Sequence, residues 1–240
     1  MTAGQYQTTH TDLTTNDDGV RGSRPRLLVV HTFEGQDLDV HRMMDYQSGR
    51  LPHQRTGSYH VVIDAAGQSG RENDNAFIPW AGGWNGNRAG LHVSLAGRAA
   101  FTRDQWLARG AQLEELARWL AHEGREQAIP LQKVVGVGDP AVRGVCGHAD
   151  LSAAWPNDTD HTDPGPGFPW DHVLSLAAGG DPRPEVTGGP GSWHVVQPGD
   201  TLGAVSRHYG TSIKSLVAWN RIPNPDVIRV GQVLRVRPRQ

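Results

Sequence analysis

Little in this chain points to a membrane or to an oxidised, cross-linked scaffold. Cysteine occurs once, at Cys146, which excludes an intramolecular disulfide framework. No apolar run reaches the roughly 18 residues that a membrane span needs. The opening Met1-Thr2-Ala3-Gly4-Gln5-Tyr6 has neither a basic n-region nor an apolar h-region, so no Sec-type signal peptide is expected. Lysine is confined to Lys133 and Lys214, a bias toward arginine that suggests a high-GC genome. Histidine is plentiful instead. Twelve histidines among 240 residues hint at metal chemistry, since imidazole is the commonest protein ligand for metals. With 30 glycines, 16 prolines and 20% charged residues, the composition is that of a loop-rich globular chain.

The net charge of −2 hides an asymmetry. Residues 193–240 hold seven Lys/Arg against two acids, whereas the rest holds 16 against 23. Between the two lies Gly179 to Ser192, where eight of fourteen residues are Gly or Pro. Such a stretch reads as a linker. Three parts are therefore expected: a domain at 1–178, a linker at 179–192 and a small domain at 193–240. The arginines of the small domain are scattered rather than clustered with aromatics, so nucleic acid is not an expected partner.

Hydrophobic patterning assigns the elements. Leu27-Leu28-Val29-Val30 reads as a buried strand ending at His31, and Tyr59-His60-Val61-Val62-Ile63 as a second β-branched run. Leu91 to Leu95 alternates, and Val134-Val135 forms a fourth apolar segment. A helix is predicted from Thr102, with Gln105 completing a capping box and Trp106, Leu113, Leu116, Ala117 and Leu120 at helical spacing. A weaker helix is expected over 37–47. Strands interleaved with helices predict an α/β domain, a mixed central sheet flanked by helices. The small domain reads βααβ, with helices near 202–209 and 212–219.

In the small domain, Val195-Val196-Gln197-Pro198-Gly199-Asp200-Thr201-Leu202, Tyr209-Gly210-Thr211, Trp219-Asn220-Arg221-Ile222 and Ile228 to Leu234 resemble a LysM module. The resemblance implies binding of glycans that contain N-acetylglucosamine, such as peptidoglycan or chitin. It nominates Gly199, Asp200, Thr201 and Leu202 on one side of a shallow groove and Asn224, Pro225, Asp226, Val227 and Ile228 on the other. Asp200 or Thr201 suits a helix N-cap in its own right, so a turn and a ligand contact are compatible at this loop.

In the large domain, Val29-Val30-His31-Thr32, Ser58 to Asp64, Asn87 to Leu91, and Gly147-His148-Ala149-Asp150-Leu151 with Thr162-Asp163-Pro164-Gly165 resemble the zinc-dependent N-acetylmuramoyl-L-alanine amidases. The resemblance implies His31, His148 and Asp163 as ligands of Zn2+. Three protein ligands leave a fourth position open, as in catalytic zinc sites. It also implies a catalytic Tyr59 and places His161 where relatives often carry lysine, so His161 is expected to be catalytic too, as a histidinium that stabilises the oxyanion or protonates the leaving amine. His92 stands where some relatives place glutamate, leaving the general base unassigned. Cys146, two residues before His148, is expected to be a small buried hydrophobe, and His60 to be structural. His92 and the histidines at 10, 41, 53, 122 and 172 are read as surface or core residues. Trp80, Trp84 and Asn87 lie in a Gly-rich loop that suits either packing or stacking on sugar or peptide.

Together these readings predict an endolysin, a peptidoglycan hydrolase that cuts the amide between N-acetylmuramic acid and L-alanine. The chain would act as a monomer, stay in the host cytoplasm until a holin releases it, and reach the wall without inserting into the membrane. The alternatives are a non-catalytic wall-binding protein, or a bacterial autolysin or effector with the same chemistry.

Overall fold

The computed structural model describes residues 6–35, 38–48, 57–179, 193–196, 200–209, 211–220, 222, 224–225, 227–229 and 232–236. The chain divides into two compact units, Met1–Pro182 and Arg183–Gln240. Among the described residues no helix is long and apolar enough to cross a membrane.

In the larger unit the elements run β1 (His10–Thr11), β2 (Asp17–Val20), β3 (Leu27–Thr32), α1 (Val40–Gln47), β4 (Val61–Ile63), β5 (Ser69–Arg71) and β6 (Phe77–Pro79). Then follow α2 (Gly83–Ala89), β7 (Gly90–Leu95), α3 (Arg103–Leu107), α4 (Gly110–Gln127), β8 (Gly144–Gly147), α5 (His148–Ala154) and α6 (Trp170–Ala177). Six strands form one sheet in the order β1-β5-β4-β7-β3-β8. Strands β4, β7, β3 and β8 are parallel neighbours, and β5 is antiparallel to β4. A separate antiparallel pair joins β2 to β6.

Strand β3 is buried along its whole length, as expected of a strand covered on both faces. Its even positions, Leu28 and Val30, join the main core with Leu113, Leu116, Trp119 and Leu120 of α4. Its odd positions, Leu27 and Val29, pack with Cys146 and Leu151 on the opposite face. Because side chains alternate along a strand, His31 continues the odd series and emerges on the side of α5.

Several elements differ from the sequence expectation. The helix expected from Thr102 is two helices. The capping box of Thr102 and Gln105 does start α3, but Arg109 leaves helical geometry at φ −102°, ψ 46°. The break lets Trp106 pack edge-on against Phe101 and Phe168 while Leu113 and Leu116 face the sheet from α4. Helix α1 starts at Val40, with Asp39 accepting from the Arg42 N–H at 2.9 Å; the earlier start at Asp37 lies outside the described residues. Tyr59 and His60 precede the second strand rather than belonging to it. Val134-Val135 forms no strand, and beside it Lys133 makes only an isolated bridge to Val145.

The smaller unit runs β9 (Trp193–Val195), α7 (Leu202–Tyr209), α8 (Ile213–Asn220) and β10 (Val233–Arg235). The two strands pair antiparallel, and Leu202, Val205, Leu216, Ile222 and Leu234 form its core.

Candidate metal centre

Strand pairing brings two histidines side by side. Val30 lies opposite Gly147 in the parallel β3–β8 pair, so the next residues, His31 still within β3 and His148 at the start of α5, lie side by side. Their Nδ1 atoms are 3.1 Å apart. Asp163 completes the group, with Oδ2 3.3 Å from His31 Nδ1 and Oδ1 3.3 Å from His148 Nδ1. Two backbone contacts hold Asp163 there: Thr32 N–H donates to Oδ2 at 3.0 Å, and the Asp163 carbonyl accepts from Ala149 N–H at 3.0 Å. Glycine at 147 permits this approach, since a Cβ there would lie 2.6 Å from Pro164 Cδ and 3.1 Å from the Asp163 carbonyl oxygen.

The donor set fits a metal cation. Ligand atoms bound to tetrahedral zinc at about 2.0–2.1 Å lie about 3.3 Å from one another; here the two Nδ1 atoms are 3.1 Å apart, each lies 3.3 Å from a different Asp163 oxygen, and one ligand atom from each residue lies within 4.8 Å of the others. All three residues are buried. Burial lowers the His31 pKa to about 4, only partly offset by the neighbouring Asp163. Burial alone would raise the Asp163 carboxyl, yet the adjoining imidazoles of His148 and His31 hold it well below the usual carboxylate range. His31 and Asp163 thus offer lone pairs rather than protons at neutral pH, as a cation site requires.

A second layer sets the tautomers. His31 Nε2 lies 2.9 Å from His92 Nδ1, and His92 Nε2 lies 3.1 Å from the Gly86 carbonyl. Burial depresses the pKa of both imidazoles, so both are neutral. A carbonyl only accepts. His92 must therefore carry its proton on Nε2 and accept on Nδ1, which puts the His31 proton on Nε2. His31 Nδ1 is left bare, facing His148 and Asp163. His148 Nε2 meets the Thr159 hydroxyl at 2.7 Å, a group that can donate or accept and so orients the ring without fixing its tautomer. Such outer partners orient ligating histidines in metal sites generally.

Of the other predicted site residues, Tyr59 comes within 5.1 Å of His31, ring centre to ring centre. Burial, then the Asp163 charge, push its hydroxyl well above its ordinary pKa. His161 stacks on His148 at 4.5 Å and 8°, with Nδ1 3.7 Å from Asp163 Oδ1 and its side chain 58% exposed. It stands at the mouth of a cleft of about 270 Å3 that also involves Glu34, Ala99 and Thr162. Cys146 is buried among Leu27, Val29 and Leu151, its thiol pKa pushed up by burial, and it is not in the metal group. His60 accepts from His92 N–H at 3.0 Å and faces Arg21.

Sequence reasoning missed three contributors: the bridging role of His92, Thr159 and Glu34. Glu34 adopts φ +58°, and its Oε1 accepts from the Thr32 hydroxyl at 2.5 Å and Ala99 N–H at 2.9 Å. No local motif marks Glu34 or Thr159. For His92, a polar residue in the middle of a buried strand was the available signal.

In the smaller unit, Asp200 pairs with His194 at 2.7 Å, and Thr201 accepts from Ala204 N–H at 3.1 Å as the cap of α7. Leu202 was nominated as a glycan contact, but its side chain is 3% exposed and turned into the core. It therefore packs inward, and only its backbone could meet a ligand. Asn224 lines a groove of about 560 Å3 with Ile222, Val227, Arg229 and Gln232. Pro225 is exposed beside it, and Ile228 packs partly against the core. Gly199 and Asp226, like His53 and most of the linker, lie outside the described residues.

Comparison with known proteins finds two families. The N-acetylmuramoyl-L-alanine amidase family matches residues 21–166, and the LysM domain matches residues 194–237. N-acetylmuramoyl-L-alanine amidase XlyA of Bacillus subtilis (strain 168) is 45% identical over 51 residues, 21% of this chain and 17% of that protein. The secreted LysM effector ECP6 of Passalora fulva is 46% identical over 52 residues, 21% of this chain and 22% of that protein. These matches thus span about a fifth of the curated relatives' length. Among solved structures, Staphylococcus aureus hydrolase AmiA in complex with its ligand superposes with a TM-score of 0.55 at 16% identity, over 72% of this chain and 92% of that one. AmpD superposes with a TM-score of 0.51 at 19% identity, over 73% and 98%. Both share the fold.

Proposed function

Since the chain belongs to the N-acetylmuramoyl-L-alanine amidase family and carries a LysM domain, we propose that it hydrolyses the amide joining N-acetylmuramic acid to the L-alanine of the peptidoglycan stem peptide. The observation that carries this reading is the convergence of His31 Nδ1, His148 Nδ1 and the Asp163 carboxylate, each Nδ1 lying 3.3 Å from one of its two oxygens. In this reading those three residues hold Zn2+, which supplies a Lewis acid and an acidified water. Tyr59 keeps its proton at working pH and donates a hydrogen bond toward the scissile carbonyl oxygen, where charge builds in the transition state. His161, exposed at the mouth, delivers a proton to the departing L-alanine amine. A purely binding role is disfavoured because all three donors are present and meet.

The LysM domain would keep the catalytic domain on the polymer, raising its local concentration. Asp200, Thr201, Asn224 and Pro225, with Gly199, Asp226, Ile228 and the Leu202 backbone, would frame its glycan contact. An endolysin that acts as a monomer on the wall, after release through a holin lesion, is the biological setting we favour.

Mass spectrometry of fragments released from purified peptidoglycan tests the reaction. Free stem peptides beginning with L-alanine are expected from the native protein and not from His148→Ala. Cut glycan strands or cleaved cross-bridges would move the activity to another bond, and no release at all would leave a wall-binding protein.

A further inference from the structure

Two tryptophans of the larger unit are exposed and nevertheless pinned. Trp84 is 62% and Trp80 40% exposed, whereas Trp106 and Trp119 are fully buried. Asp18 ties the pair together. Its Oδ1 accepts from Trp80 Nε1 at 2.9 Å, and its Oδ2 pairs with Arg88 at 3.2 Å. Arg88 in turn lies over the Trp84 ring, 3.2 Å from its centre, and donates to the Trp84 carbonyl at 3.1 Å. The loop between the rings is held by the buried Asn87 side chain, which accepts from Ala81 and Gly82 N–H. The result is an aromatic surface set before any ligand arrives, with a carboxylate at the edge of Trp80 and a guanidinium covering one face of Trp84.

This surface is wired to both sides of the metal centre. Trp80 exchanges hydrogen bonds with Ser58, the neighbour of Tyr59: Trp80 N–H to Ser58 Oγ at 3.1 Å and Ser58 N–H to the Trp80 carbonyl at 3.2 Å. Asn85, next to Trp84, donates to Asp158 at 2.8 and 3.1 Å. Asp158 precedes Thr159, whose hydroxyl meets His148.

We propose that Trp80 and Trp84, braced by Asp18 and Arg88, form a saccharide subsite that takes pyranose rings of the glycan strand flanking the scissile muramoyl amide. The inference rests on the amidase reading, because in that substrate the reacting amide hangs from a sugar ring and glycan must lie beside the centre. Pyranose rings in equatorial substitution present apolar C–H faces that stack on indole, with hydroxyl and N-acetyl groups at the rim. The uncovered face of Trp84, and the Trp80 indole with Asp18 at its edge, match that amphipathic shape. The subsite would position the strand on the catalytic domain, separately from the LysM groove.

The test uses the full chain labelled with 5-fluorotryptophan, its Trp80 and Trp84 resonances assigned from Trp80→Phe and Trp84→Phe. Titration with a peptide-free tetrasaccharide of alternating N-acetylglucosamine and N-acetylmuramic acid should shift both resonances saturably. Trp84→Ala should raise KM about 2- to 10-fold on a soluble glycan-linked stem peptide, with kcat unchanged. It should leave hydrolysis of a single N-acetylmuramoyl peptide untouched, and Trp84→Tyr should restore most of the loss. Static Trp80 and Trp84 resonances, shifts produced by stem peptide alone, or equal losses on both substrates would overturn the subsite. A native protein that cleaves neither substrate would sink the amidase reading, while the fluorine spectrum still decides the subsite.

Discussion

Glu72 is a carboxyl with almost no access to water, 1% exposed. Tyr59 N–H donates to its Oε2 at 2.8 Å, and its Oε1 has no partner among the described residues. Burial pushes its pKa up to about 8 from an ordinary 4.5, against the stabilising Tyr59 N–H and helped by the charge of Asp12. Between those two values the folded protein holds a proton that the unfolded chain has lost. Stability is therefore full below the unfolded pKa and declines as pH rises toward the folded one, by up to ~1.4 kcal/mol per pH unit. Buried His31, His60 and His92 have depressed pKa values and act oppositely, adding stability as pH rises through the unfolded histidine pKa near ~6.5. The native protein and Glu72→Gln share those histidines, so their difference isolates Glu72, and a relative loss of roughly 2 kcal/mol is expected in the native protein between pH 6.5 and 8. Glu72→Gln should lack that loss while imposing a pH-independent cost of about 1–3 kcal/mol for the extra buried N–H. Urea unfolding of both proteins at pH 6.5, 7.25 and 8, with chelator present to remove metal linkage, measures the two slopes. Equal slopes would refute the assignment.

Further expectations concern the metal centre and the core. Replacing His92 by Leu removes the acceptor that fixes the His31 tautomer, so zinc affinity measured by chelator competition should fall about 10- to 100-fold. Zinc at a hundred times its dissociation constant should stabilise the protein by about 2.7 kcal/mol in denaturant melts, and Asp163→Asn should shrink that increment. Gly147→Ala forces a Cβ against Pro164 and the Asp163 carbonyl, so it should weaken metal binding even where circular dichroism shows a folded protein. Leu116→Ala opens the main core and should cost about 2–5 kcal/mol in the same melts, without changing the affinity for zinc.

Periodicity and burial patterns made part of this architecture legible. The Leu27–Val30 run becomes the central strand, and the βααβ order of the small domain is visible in its caps and apolar spacing. The break between α3 and α4 was not, because it is decided by where Trp106 finds Phe101 and Phe168, residues remote from the helix itself. The inward turn of Leu202 was hidden for a similar reason: the LysM resemblance marks the loop, whereas the core decides the side chain. The metal group was nominated by resemblance, since no local spacing relates His31 to a partner 117 residues away. Parallel pairing of β3 with β8 makes them neighbours, and a sequence carries no register. The His92–Gly86 link is of the same kind, a tautomer argument that exists only once distances do.

The three proposed metal ligands also set an order in time. His31 enters the growing chain early, His148 more than a hundred residues later, and Asp163 near the end of the larger unit. A chain still being synthesised has a lone imidazole, then two, and never the full set until the domain is nearly complete. Because the donors also depend on sheet register and on the contact between Thr32 and Asp163, a partly folded chain lacks the centre as well. In the proposed reaction, wall-cutting power would then arrive in one step, at the close of folding, with no truncated or immature form able to exercise it.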